Sequence, residues 1–184
     1  MLSTAFLLAA SMVIGQAEVP PVSPLPKEVM MSYQYFMGTW ATRAKVGEES
    51  SEGTFNCRWE PGRHCYRLTA TDSPSQPTKP VQHMSAIGGY DPMTKRTIEK
   101  AFWSDGSHYT LYYDMSNPVR QKGITTGELI GVEQGKEFKT QISVERRGPE
   151  EFIYRSQTVD GKPIEVVFRK IEGPKGAKAK PKQD

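Results

Sequence analysis

The sequence predicts an all-β fold: an antiparallel up-and-down barrel of about ten strands preceded by a short N-terminal helix. Three observations lead there. Past Gly38, stretches of 6 to 11 residues rich in Thr, Val, Ile, Tyr, Phe and Trp follow one another without a convincing helical period. Turn signals mark many of their ends, among them Pro61-Gly62, Asp91-Pro92, Asp105-Gly106 and Asp160-Gly161. The connections are short, so consecutive strands pair as a meander, and a meander this long curls and closes on itself to remove its edges.

Four segments divide the 184 residues. Residues 1–17 read as a signal peptide: LSTAFLLAASMVI is uncharged and too short to span a bilayer at about 20 residues, and Gly15-Gln16-Ala17 sets small residues ahead of a cut before Glu18. No Lys or Arg precedes the run, which leaves an uncleaved buried helix or a misassigned start codon as the alternatives. Residues 18–25 form a Pro-rich linker, 26–171 the barrel domain and 172–184 a Lys-rich tail. Export to the periplasm or the extracellular space is the expected localisation, with no membrane segment left after cleavage.

In PKEVMMSYQYF, Pro26 suits the first turn of a helix, Glu28 its positive end, and Val29, Tyr33 and Phe36 share one face. Strands are expected near 39–46, 53–60, 64–71, 81–90, 96–104, 107–114, 122–130, 136–147, 151–159 and 163–171. Asp72 to Pro80 holds three prolines and should be an exposed loop.

Charge excludes one class of partner. From Lys170 on, the chain holds five lysines against two acids, which accounts for the whole net charge of +3. The body is neutral, and the tail lacks the aromatics and arginines that nucleic acid contact favours, so no nucleic acid partner is expected.

A two-residue Asp105-Gly106 turn would place Trp103 opposite His108 and Phe102 opposite Tyr109. One face of that hairpin then carries Glu99, Ala101, Trp103, His108, Thr110 and Tyr112, the other Ile98, Lys100, Phe102, Tyr109, Leu111 and Tyr113. Aromatics with a few polar groups suit the lining of a ligand space, so Trp103, His108, Tyr112 and Glu99 are the candidate ligand-binding residues. The competing reading makes them cross-strand pairs on the outer wall.

Catalytic and metal patterns are lacking. His64, His83 and His108 fall on three strands, without HExxH or similar spacing, and His64 with Cys57 and Cys65 would need His83 as a distant fourth zinc ligand. There is no nucleophile elbow and no phosphate-cradling glycine loop. No catalytic residue, metal or cofactor is therefore expected. Cys57 and Cys65 flank the Pro61-Gly62 turn, and export would permit a disulfide. Alternation sets Phe55, Cys57 and Trp59 against Tyr66, Leu68 and Ala70, which points Cys65 the other way; a bulge near Arg63 would reconcile the two.

The order of FMGTW, WEPGRHC, GGYDPMTK, WSDGSHYTLYYD, GPEEFIYRS and VDGKPIEVVFRK resembles an exported bacterial family known as domain of unknown function fifteen seventy-nine. The Gly38-Thr39-Trp40 opening resembles the G-x-W signature of the calycins, the lipocalin-like ligand-carrying barrels. The resemblance implies a lipocalin-like barrel closed by Gly38 and Trp40, with a basic residue of the last strand, Arg169, packed over the indole. Nitrobindins look similar but carry a haem-ligating histidine in the last strand, which PIEVVFRK lacks, so haem is not implied. The function that follows is an exported, non-enzymatic barrel holding a small, partly apolar or amphipathic molecule. The alternatives are a solid-barrel module for protein or envelope contact, and a cavity enzyme using His108.

Overall fold

A computed structural model describes residues 24–114 and 123–171 of the chain. The expected signal peptide, all but the end of the expected linker, and the Lys-rich tail lie outside the described residues. One helix, α1 (Lys27–Phe36), precedes ten strands: β1 (Gly38–Val46), β2 (Glu49–Trp59), β3 (Cys65–Pro74), β4 (Gln82–Asp91), β5 (Arg96–Trp103), β6 (His108–Asp114), β7 (Ile124–Glu133), β8 (Lys136–Arg146), β9 (Glu151–Gln157) and β10 (Pro163–Lys170). Each strand pairs antiparallel with its sequence neighbour, and β1 pairs with β10 to close the barrel. The expected helix and all ten expected strands are found, with β3 extending to Pro74 at the start of the proline-rich loop.

Helix α1 begins where Pro26 fixes an extended backbone, with Pro26 O accepting from Met30 N at 3.0 Å and Glu28 in the first turn. It ends at Met37, whose extended conformation redirects the chain into β1. Val29, Ser32 and Tyr33 form its buried face, three and four residues apart, and press against one end of the barrel. Tyr33 meets Trp59 and Tyr66 edge-on or tilted at centroid distances of 5.8 and 4.8 Å.

Trp40 anchors this end and is fully buried. Its indole Nε1 donates to Phe36 O at 2.9 Å, tying the last helical turn to the first strand. Phe152 lies edge-on to it at 4.9 Å, and Phe168 stacks on Phe152 at 4.1 Å. On the helix side, the Arg146 guanidinium sits 4.5 Å over the Tyr35 ring and donates from Nη2 to Ser32 Oγ at 2.6 Å.

The closing residues differ from the expectation in two respects. Arg169 does not cover Trp40: it stands opposite Ala41 in the β1–β10 ladder, points outward and pairs with Glu151 at 2.9 Å. Lys170, directly opposite Trp40, brings its Nζ to 5.2 Å from the indole ring. Side chains alternate across a strand, so the residue on the tryptophan's face must have the other parity. Gly38 serves through its backbone, at φ 114°, where a side chain is strained; the nearest atom to a Cβ there, Lys170 Cε at 3.5 Å, would be in ordinary contact.

The β2–β3 turn leaves Cys57 buried inside the barrel and Cys65 outside it, both as free thiols. Arg63 and Gly62 do adopt positive φ, 55° and 83°, but the ladder beyond keeps Cys57 opposite Leu68, so the disulfide does not form. Cys57 Sγ lies instead 3.8 Å from Met37 Sδ.

Two outcomes check these placements. Trp40→Ala should lower unfolding free energy by about 3–5 kcal/mol, and Arg169→Ala, which removes one exposed ion pair, by no more than about 1 kcal/mol, both by denaturant titration. Thiol titration of the unfolded, unreduced protein should find two thiols per chain; none would place the cysteines in a bridge.

Candidate functional site

Ten strands enclose more space than their inward side chains fill, and α1 stoppers only one end. What remains is a cavity of about 430 Å³ that runs from Tyr33 and Phe36 of the helix toward the opposite mouth. Aromatic and aliphatic side chains dominate its wall, among them Phe55, Leu68, Leu111, Tyr113, Tyr154 and Phe168. Asp72, Gln82, Asp105, Glu133 and Gln157 supply polar groups toward the mouth.

Deep in this wall sits one carboxylate. Glu99 is 7% exposed, and its Oε2 accepts a hydrogen bond from the Tyr66 hydroxyl at 2.9 Å. The local sequence explains how a tyrosine two strands away reaches it. Tyr66 of β3 stands opposite Gly88 of β4, which stands opposite Glu99 of β5. The Tyr66 ring lies across the glycine: a Cβ at position 88 would come within 2.3 Å of Tyr66 Cζ. Gly88 is thus the gap through which the phenol crosses β4. Beside this pair, the hydroxyls of Tyr33 and Thr97 share a hydrogen bond of 2.7 Å, which seats the helix on the β5 wall.

Burial sets the electrostatics. Desolvation pushes Glu99 up to about 7, opposed only by the Tyr66 hydrogen bond. Desolvation, with the Glu99 charge adding to it, also raises the Tyr66 and Tyr113 phenols well above their ordinary range and Cys57 to about 12. Glu99 is therefore the group in this cluster that changes charge near neutrality.

The candidate ligand-binding residues separate into two pairs. Glu99 and Trp103 line the cavity, as the hairpin's β5 face requires. His108 and Tyr112 do not: Tyr109, Leu111 and Tyr113 are the inward residues of β6. His108 lies exposed on the outer wall, stacked on Phe102 at 6.0 Å. The cause is the turn. Trp103 N donates to Ser107 O at 2.8 Å and Gly106 N to Trp103 O at 3.1 Å, so Ser104, Asp105 and Gly106 form a three-residue loop with Gly106 at φ 89°. Asp105 Oδ1 accepts from Ser107 N at 2.9 Å and braces it. The extra residue slips the register by one, Phe102 meets His108, and every β6 side chain changes face. His108 is accordingly unavailable as an acid or base in the cavity. Among the described residues, no group of three His, Cys, Asp or Glu side chains converges as a metal site would need.

Tyr66 and Gly88 are the site residues that sequence reasoning did not pick out. The even-numbered run Tyr66, Leu68 and Ala70 carried the signal for Tyr66, and the Gly88-Gly89 pair inside a strand signalled close packing.

No family model matches the chain, and neither does any curated protein. Among solved structures it is similar to a de novo designed fluorescence-activating β-barrel, at 15% identity over 76% of this chain and 97% of that one, with a TM-score of 0.46. A redesigned β-barrel bound to DFHBI is similar at 14% identity over 76% of this chain and 98% of that one, with a TM-score of 0.44.

The raised Glu99 pKa has a direct consequence for stability. Between its ordinary 4.5 and about 7, the folded chain keeps a proton that the unfolded chain has released, so stability falls as pH rises through that window and levels off above it. The drop should approach roughly 3 kcal/mol. Glu99→Gln keeps an acceptor for Tyr66 and should flatten this slope, leaving the variant more stable than the parent at pH 8. Equal pH profiles by denaturant titration would place Glu99 in a solvated setting.

Proposed function

We propose that the protein is an exported, non-enzymatic carrier of a small, mostly apolar molecule, akin to the exported bacterial family whose motifs it resembles. The observation that carries this reading is the cavity of about 430 Å³, closed by α1 at one end, with a largely apolar wall and a single carboxylate at depth. Pockets of roughly 300–1,000 Å³ with a few fixed polar groups are the usual form of small-molecule sites. The ligand enters at the mouth between the β1–β2 and β5–β6 turns, away from Trp40. A carrier rather than an enzyme is favoured because Glu99 has no acid or base partner of suitable pKa beside it, only phenols and a thiol held neutral by burial. The open interior also favours a carrier over a solid interaction module.

The neutral probe N-phenyl-1-naphthylamine should bind with a saturable rise in fluorescence. Ala70→Trp, which sets an indole into the wall between Phe55 and Met84, should weaken binding at least about tenfold. Ala44→Trp, on β1 of the same wall, is the second variant should the first lose its fold. Binding that both folded variants keep unchanged, or no binding to the parent, would sink the carrier reading.

A further inference from the structure

We propose that the molecule carried is an organic cation, an apolar body bearing one protonated amine that reaches Glu99. The inference deepens the carrier reading and rests on it.

The sign of the wall is the first ground. Among the described residues lining the cavity, Asp72, Glu99, Asp105 and Glu133 are acidic, and no lysine, arginine or histidine accompanies them. Four lysines stand near that mouth without lining the cavity: Lys79 pairs with Glu49 at 2.5 Å and Lys136 with Asp160 at 3.6 Å, while Lys45 and Lys162 flank the β1–β2 turn. A negative mouth with low-dielectric walls concentrates cations and repels anions.

The second ground is the unfinished bonding of Glu99. Oε2 takes the Tyr66 hydroxyl, and Oε1 takes no bond from any described residue. A carboxylate in an apolar wall is costly to ionise unless a positive partner meets it there. An ammonium supplies both the charge and the missing donor, in a charge-assisted hydrogen bond. The third ground is the surrounding π surface. Tyr66, Tyr113, Tyr154, Phe55 and Phe168 present rings to the same space, and ring faces attract cations where anions are disfavoured.

The groups around Glu99 leave its charge undisturbed over the working range. Tyr33 comes from α1, Cys57 from β2, Tyr66 from β3, Tyr113 from β6 and Tyr154 from β9, and burial holds all five neutral. β4 contributes Gly88, which has no side chain to titrate. The carboxylate thus gains its charge as pH rises through about 7, and amine affinity gains with it.

Three probes of one shape test this: 4-phenylbutylamine, 4-phenyl-1-butanol and 4-phenylbutyrate, titrated calorimetrically into the full chain at pH 8.5 and 5.5. At pH 8.5 the amine should bind at least about tenfold tighter than the alcohol, and the acid weakest of the three. The amine should lose most of that advantage at pH 5.5. Glu99→Gln should bring the amine down to the level of the alcohol measured on the same variant. An alcohol that equals the amine, an acid that binds tightest, or an amine indifferent to Glu99→Gln overturns the cation inference while the carrier reading stands. Failure of all three probes on a chain that binds N-phenyl-1-naphthylamine would overturn the cation inference alone, and failure of that dye as well would remove both.

Discussion

Closure at ten strands is the constraint from which the rest of the molecule follows. A strand pair at the edge of an open sheet leaves a row of donors and acceptors unpaired, and the β1–β10 ladder removes that row entirely. Ten strands, however, set a girth that side chains alone do not fill. The chain meets this at one end with α1, held by the Trp40–Phe36 and Tyr33–Thr97 hydrogen bonds, and leaves the other end hollow. Helix, aromatic floor and cavity are therefore consequences of one number of strands.

Within that hollow, Glu99 runs against the stability of the fold. An alkyl side chain at the same place would avoid the desolvation of a carboxylate. The structure nonetheless arranges three strands around it: Tyr66 turns inward to donate, and Gly88 gives up its side chain so that the phenol can pass. The arrangement gives a glycine and a tyrosine to one acid, at a place where an alkyl side chain would cost the fold less.

Much of the architecture was legible because its signals are local. Gly and Asp turns marked strand ends at 91–92, 105–106 and 160–161, and β-branched and aromatic runs marked the strands between them. What escaped depended on a single residue's count. Ser104-Asp105-Gly106 supports a two-residue or a three-residue turn equally well as a sequence, and the choice moves His108 and Tyr112 from the cavity to the outer wall. The same parity separates Arg169 from Lys170 at the indole. The Tyr66–Glu99 bond spans two strand spacings, a relation no local pattern contains.

Closure also sets one ladder apart from the others in sequence separation. Nine of the ten ladders join strands adjacent in sequence. The tenth joins Trp40 to Lys170 and Val46 to Ile164, across more than a hundred intervening residues, and bears the largest loop-closure entropy. The cavity exists only where that ladder is closed, so a chain without it has no pocket for a ligand to stabilise. A carried molecule would then act on the lifetime of the finished barrel, slowing its unzipping and leaving the speed of its assembly unchanged.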